Sequence, residues 1–411
     1  MISFTPLKTL ENVEFRNLLT GRFFIVLAFR MLATLLGWWV YQLTKDPFSI
    51  GLIGLSEVIP AVSCALYAGH VIDMNEKKRL LLICNYAYVF LIGLLLVPAF
   101  LNTYLHFTGY EITYYIYGVI FLTGIARAFI GPIVPSMIPK IVQKVNLPNA
   151  ITLNQGTFLI SSVCGHAAGG FLIGFFGVKW TLLIIISLIL IASVFFWQIK
   201  KQYSEYKKQD VKTLESMREG ISYIFKTKEI LGALCLDMFA VLFGGAVAMI
   251  PVFATDILKS GAEGFGLLNA ASDIGSMIII VTLSVVPLRK NQGKILLMAV
   301  AGFGFCIIGF GLSNYYWLSF VFLVMSGILD GISVVIRGTI VQLKTPDHIR
   351  GRVLSVNSIF IMSSNEMGQF ESGLAAKLMG VVRSVIFGGS MTVLIALLIG
   401  TTNSKLRKMQ Y

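Results

Sequence analysis

Nine ionisable side chains lie inside long apolar stretches of the sequence. They are Arg30, Glu57 and Arg127 in the first half, and Asp237, Asp273, Asp330, Arg337, Glu366 and Glu371 in the second. A charge placed in hydrocarbon costs about 2.5–3.5 kcal/mol on insertion scales, so each of these groups needs a partner or a task. The formal balance is +1 in the first set and −4 in the second, which leaves acids in excess of the arginines that could neutralise them. Desolvation favours the neutral form of a carboxyl, so an acid moving between dry and wet surroundings can take a proton from one side and release it to the other. On that ground Glu366, Asp330, Asp273 and Glu57 are the candidates for proton coupling. Arg30, Arg127, Asp237, Arg337, Asn357, Asn365, Gln369 and Glu371 are the candidates for lining a substrate cavity. The structural alternative is bundle ion pairs, Arg30 with Glu57 and Arg337 with a carboxylate of a neighbouring span. Asp330 and Arg337 share a helix face but are separated by about 10 Å of rise, too far to make their direct pairing certain.

The elements that must carry these groups follow from composition. Of the 411 residues 56% are hydrophobic and 13% charged, against about 45–50% and 25% in soluble domains, and this excludes a water-facing globule. Mean hydropathy is +0.81. A membrane helix needs about 20 mostly apolar residues. The sequence supplies twelve such spans, at 17–43, 50–72, 80–101, 113–138, 151–176, 180–199, 229–254, 264–287, 294–312, 315–342, 353–378 and 384–402. The expected architecture is an all-α polytopic membrane protein with an N-terminal six-helix bundle over 1–199, a cytoplasmic amphipathic linker over 200–228 and a C-terminal six-helix bundle over 229–411. In the linker Leu214, Met217, Ile221 and Ile224 recur at helical spacing, which predicts a helix lying along the membrane surface.

The net charge of +13 is a matter of orientation rather than nucleic-acid binding. Sorting basic residues by loop puts twenty-five on the side of the termini and the long central loop, and five on the other. The positive-inside rule then places both termini in the cytoplasm of a bacterial-type inner membrane. Cys64, Cys84, Cys164, Cys235 and Cys306 lie in apolar runs without ligand spacing, and His70, His106, His166 and His348 are dispersed, so no metal or cofactor is expected. No GxxxxGK(S/T) run is present, which disfavours ATP-driven transport.

The halves echo each other. The fourth span runs out through Pro139 and the fifth opens with AITLNQGTF; the tenth runs out through Pro346 and the eleventh opens with VLSVNSIF. This puts Asn154 and Asn357 at matching places 203 residues apart. Such parallel repeats suggest two bundles about a midplane cavity, a transporter layout. The eleventh span, with Asn357, Ser363, Ser364, Asn365, Glu366, Gln369 and Glu371, is too polar for a lipid-facing helix and is expected to line water. Trp38, Trp39, Tyr41, Tyr67, Tyr86 and Tyr88 include rings that could hold flat or cationic ligands.

The loop GHVIDMNEKKR resembles the signature loop of the major facilitator superfamily. Gly69, Asp73, Lys77 and Lys78 match its pattern and Arg79 extends the basic cluster, while Met74 stands where the family usually has Arg and Glu76 where it has Gly. The resemblance implies a tight turn that gates the cytoplasmic side. Arg127 four residues before Gly131 resembles the second motif of the family. GHAAGG resembles the GPxxGG stretch of its antiporters, with Gly165, Gly169 and Gly170 retained for packing or hinge motion and His166 in place of proline. Residues 336–380 resemble the enterobactin-exporter and macrolide-efflux branch through the run TPDHIRGRV and the polar span that follows. Together these imply the major facilitator fold of two pseudo-symmetric six-helix bundles, working as a monomer to export an amphipathic small molecule against protons. An uptake permease of the same fold is the alternative, with a membrane enzyme, scaffold or channel further behind.

Overall fold

The computed structural model describes residues 9–105, 107–200, 213–286, 288 and 290–410. Lys8, His106, Lys201, Lys207, Lys208, Lys212 and Arg289 lie outside the described residues, as do the side chains of Asp73, Leu214, Met217 and His348. Among the described residues every regular element is a helix: α1 Val13–Thr44, α2 Pro47–Met74, α3 Lys77–Leu94, α4 Leu96–Leu105, α5 Gly109–Ile141, α6 Leu147–Trp197, α7 Thr213–Lys226, α8 Lys228–Phe243, α9 Ile250–Val252, α10 Gly261–Val285, α11 Gln292–Leu312, α12 Tyr316–Lys344, α13 Asp347–Met379, α14 Val381–Thr402 and α15 Ser404–Arg407.

Ten segments are long and apolar enough to cross a membrane. One of them contains all 51 residues of α6, or about 75 Å of helix, more than twice the hydrocarbon thickness of roughly 30 Å. It is two spans folded at Gly177, whose φ of 73° and ψ of 178° belong to a region essentially reserved for glycine. The 33 residues of α13 are long enough to be the twelfth span, and it escapes the hydropathy count only through its polar side chains. Between α13 and α14 stands Gly380, with φ 87° and ψ 154°, 203 residues after Gly177. The repeat offset inferred from Asn154 and Asn357 is thus also the offset of two backbone breaks. A third correspondence is Lys45 and Lys259, both left-handed at φ 51° and 50°, after the first and seventh spans.

The chain divides into two compact units, Met1–Thr44 with Ile59–Gln209, and Lys45–Val58 with Asp210–Tyr411. In the first, α1 runs against α6, and the contact is made by glycines. A Cβ at Gly165 would meet the Leu27 carbonyl and the Arg30 stem, and one at Gly169 the backbone of Met31. Removing the side chain lets the two backbones approach, the usual device for helices that gain nothing from hydrophobic burial in lipid. Phe15, Leu18 and Leu35 of α1, Ile116 and Ile133 of α5 and Leu182, Ile185 and Phe196 of α6 are fully buried in this unit. The start of α5 is fixed by a capping box, in which Thr108 accepts from the Glu111 amide and the Glu111 carboxylate accepts from the Thr108 amide. α5 continues through Pro139 to Ile141, two residues beyond the proline at which the fourth span was expected to run out.

The second unit takes in the first turns of α2 because Gly51 and Gly54 let that helix lie on the backbone of α13 at Gln369, Gly373 and Glu366. α10 and α12 cross at Gly275 and Gly327, which face the carbonyls of Val324 and Ser272, and the Ser276 hydroxyl donates to the Gly327 carbonyl at 3.0 Å. Ile230, Leu236, Leu296, Ile336, Val341 and Val353 lie in one core cluster of this unit. The helix expected in the linker is α7; on its apolar face Ile221 is exposed and Ile224 buried, while the side chains of Leu214 and Met217 lie outside the described residues. Ile224 is buried in that same cluster, Tyr223 donates its hydroxyl to the Lys344 carbonyl, and Glu219 pairs with Arg352.

The α10–α12 crossing generates a stability prediction. Gly327→Val places two methyl groups where the Ser272 carbonyl lies, and overpacking of that kind costs about 1–3 kcal/mol. Gly338→Ala, at a position on the same helix with open space around it, should be nearly neutral. Thermal unfolding of the detergent-solubilised protein is the check, and equal midpoints for the two variants would show that this crossing is not tight.

Candidate functional site

The charged and polar groups of the spans fall into distinct clusters rather than one. In the second unit α8 carries Asp237 and α12 carries Arg337, and the two form an ion pair whose side chains are 8% and 6% exposed. The pairing of Arg337 with a carboxylate from a neighbouring span is therefore realised, and these two cavity candidates are occupied with each other. Asp330, one helical turn pair earlier on α12, does not take Arg337. It is half-buried and feels the charge of Asp273 from α10. Two carboxylates are thus held on either side of the helix crossing whose close approach Gly275 and Gly327 permit. Like charges in such surroundings are relieved by a proton or another cation between them.

The polar residues of α13 do not share one face. At 100° per residue, Asn357, Ser364, Gly368 and Glu371 fall within a narrow stripe, while Glu366 and Gln369 lie on the far side, with Asn365 between. The Gly368 stripe packs on α8 at Val241 and Leu242. The opposite face receives Gly54 of α2, and there the Gln369 amide donates to the Glu366 carboxylate at 3.1 Å. Glu57, one turn on from Gly54, is half-buried. The polar span thus has two faces, one packed on α8 at Gly368 and one on α2 at Glu366 and Gln369. Glu371 and Asn357 are half-buried, and Asn365 is exposed.

The first unit holds a second cluster around α1. The Arg30 guanidinium lies 5.4 Å from the Phe158 ring, and the Arg127 guanidinium 5.9 Å from the Phe29 ring. Thr34 donates its hydroxyl to the Arg30 carbonyl at 3.0 Å and is also 2.8 Å from Nδ1 of His166. The contact with His166 ties α6 to α1 beside Arg30. Sequence reasoning had noted His166 only as a substitution for proline. The signal that could have placed it was its register beside Gly165 and Gly169, the residues that press α6 onto α1. Gly170 is buried beside them.

Asn154 and Asn357, the matched pair of the repeat, share a further property: each has a buried side-chain oxygen without a hydrogen-bond partner. Such acceptors are rare in folded proteins and ask for an explanation. Another feature missed from sequence is the break after α8. The helix ends at Gly244–Gly245 and resumes as a 3₁₀ turn over Ala246–Met249 and a π turn over Phe253–Ile257. The paired glycines and Pro251 were its signal. Broken membrane helices of this type commonly lie beside transport sites.

The signature loop is a turn of two residues. α2 stays helical through Gly69 to Met74, leaving Asn75 and Glu76 as the whole connection to α3. Gly69 sits in open space on that helix. The Asp73 side chain lies outside the described residues. Lys77 is buried and donates to the Ser136 carbonyl at 3.0 Å, tying α3 to the end of α5, whereas Lys78 is half-buried and Arg79 exposed.

Breaking the buried pair separates its structural worth from any role in transport. Arg337→Met or Asp237→Leu alone leaves one buried charge without its partner and should cost about 3–5 kcal/mol, while the double variant should recover most of that loss. Thermal unfolding of the four proteins forms the cycle, and additive single effects would refute the coupling.

Residues 3–411 match the family described as transmembrane secretion effectors. The chain is 22% identical to the enterobactin exporter EntS of Citrobacter koseri, over 99% of this chain and 95% of that protein. It is 21% identical to the staphyloferrin A transporter of Staphylococcus aureus, covering 90% and 92%, and 26% identical to the MFS-type transporter YkuC of Bacillus subtilis, covering 79% and 76%. Its fold is similar to those of the nucleoside transporter NupG, with a TM-score of 0.77 at 15% identity over 95% and 100% of the two chains, and of a D-xylose-proton symporter, with 0.73 at 13% over 97% and 98%. A match over nearly the whole length, on an all-helical polytopic fold, means that the chain belongs to the transmembrane secretion effector family of major facilitator transporters.

Proposed function

We propose that the protein exports an amphipathic small molecule of the siderophore or drug type across the cytoplasmic membrane, exchanging it for protons by alternating access between two six-helix bundles joined by residues 200–228. The observation that carries the coupling is the acid balance of the second unit. Arg337 of α12 is taken by Asp237, while Asp273 and Asp330 are further carboxylates on α10 and α12, the helices that cross at Gly275 and Gly327. A proton shared between those two carboxyls relieves the repulsion, and substrate or access to water on the other side releases it. Glu366, held by Gln369 on α13, is the second coupling candidate, and Glu57 the third. Support for export and for the substrate class comes from relatives named as exporters of enterobactin and transporters of staphyloferrin A. Arg30 beside Phe158, with the Thr34–His166 bond next to it, is the site in the first unit suited to an aromatic or anionic group. The Lys77 tether is assigned to the cytoplasmic gate, and the protein is expected to act as a monomer without cofactor.

The test is uptake of catechol siderophores, cationic dyes and antibiotics into everted membrane vesicles with and without an imposed pH gradient. Gradient-dependent accumulation of one member is expected, and Asp330→Asn and Glu366→Gln should each reduce it to background while leaving counterflow exchange of preloaded substrate. Accumulation indifferent to the gradient would sink the coupling. The orientation has its own check: a green fluorescent protein fused after Tyr411 should fluoresce, and alkaline phosphatase fused there should stay inactive, both outcomes reversing if the C-terminus is outside.

A further inference from the structure

Near the ends of three membrane helices of the second unit lies an open pocket of about 400 Å³ lined by Glu229, Lys344, Ser404, Lys405, Lys408 and Gln410, with Met409 at its base. α8 begins at Lys228, α12 ends at Lys344 and α14 ends at Thr402, so the pocket sits where apolar helix gives way to polar chain. Its volume falls within the ~300–1,000 Å³ usual for ligand sites. Three lysines face one carboxylate. Lys344 and Glu229 approach to 3.9 Å, and Lys405 and Lys408 add two further positive charges.

The segment that brings those two lysines is built into the fold. Asn403 accepts from the Leu406 amide at 3.0 Å and donates to the Lys228 carbonyl at 2.9 Å, which fixes the start of α15. Leu406 and Met409 are 0% and 6% exposed, so this face of the short helix is packed against the unit. The Gly293 amide donates to the Met409 carbonyl at 3.3 Å, and the Gln410 amide to the Asn291 side chain at 3.2 Å, which closes the far end. Lys405 and Lys408, three apart in this anchored segment, are exposed and both line the pocket. Two ammonium groups are thus held at the ends of three membrane helices, a charge pattern complementary to a phosphate.

We propose that this pocket binds the phosphate headgroup of an anionic phospholipid, of the phosphatidylglycerol type, with its acyl chains lying along α8, α12 and α14. The lysines supply charge, Ser404 and Gln410 supply hydrogen bonds, and the ends of the helices supply the apolar path for the chains. Basic pockets at the boundary between membrane helices and polar chain are suited to such headgroups. A soluble phosphate would find the same charge without the apolar path. The proposal is independent of the transported substrate and of its coupling.

The experiment uses the full chain in a nonionic detergent, titrated with dioleoyl phosphatidylglycerol and read by native mass spectrometry and by the shift in unfolding temperature. Phosphatidylglycerol is expected to bind and stabilise at low salt, dioleoyl phosphatidylcholine much less, and inorganic phosphate not at all. The double variant Lys405→Gln/Lys408→Gln should bind phosphatidylglycerol about thirtyfold more weakly, roughly fivefold per lysine near an anionic surface. Lys405→Arg/Lys408→Arg, which keeps the charge and the buried Leu406 and Met409, should bind as the unaltered protein does. Equal binding of the two lipids, unchanged binding by the glutamine variant, loss of binding in the arginine variant, or equal stabilisation by inorganic phosphate would each overturn the lipid site.

Discussion

A charge inside hydrocarbon must be matched by something, and much of the arrangement of this protein follows from how each one is matched. Arg337 and Asp237 match each other out of reach of solvent. Their pairing brings α8 and α12 together at a fixed register. Asp273 and Asp330 are carried by α10 and α12, which cross at Gly275 and Gly327. In the first unit the arginines are accommodated differently, against the faces of Phe158 and Phe29. An aromatic face attracts a cation without forming an ion pair with it.

These charges can be positioned only because the helices that carry them approach closely. Apolar side chains gain nothing in lipid by touching each other rather than acyl chains, so contact depends on van der Waals fit and on glycine. Gly165 and Gly169 set α6 on α1, Gly275 and Gly327 set α10 on α12, and Gly51 and Gly54 set the start of α2 on α13. Each of these crossings has an ionisable group or its partner within a turn or so: Arg30 and His166 at the first, Asp273 and Asp330 at the second, Glu366 and Glu57 at the third. Close packing and site chemistry are therefore one arrangement, and a change in crossing geometry necessarily changes the surroundings of a charge.

Much of this was legible in the sequence. Hydropathy over about 20-residue windows located the spans, because a missing side-chain charge over that length has few other meanings. The offset between Asn154 and Asn357 anticipated a repeat, and the backbone carries the same offset at Gly177 and Gly380. What was not legible is lateral. Periodicity says that Glu366 and Asn357 lie on one helix, but not that the first faces α2 and the second α8, because neither neighbour can be identified from a single strand of text. For the same reason Asp237 could not be chosen as the partner of Arg337 in advance. At the signature loop α2 runs through Gly69, inside the span expected over 50–72, to Met74, and Asn75 and Glu76 alone make the turn.

The linker is where lateral information matters most. Its sequence pattern is that of a surface helix, and a surface helix could be a passive tether. Ile224 buried in the core of the second unit, Glu219 on Arg352 and Tyr223 on the Lys344 carbonyl make α7 part of that unit instead. Arg352 belongs to the opening turns of α13, and Lys344 closes α12, so α7 clasps the connection between the two helices that carry Asp330 and Glu366. A helix docked there cannot follow any rearrangement of α12 against α13 without giving up a buried isoleucine and an ion pair. The part of the central loop next to the second unit therefore acts as a brace on the acid-bearing helices.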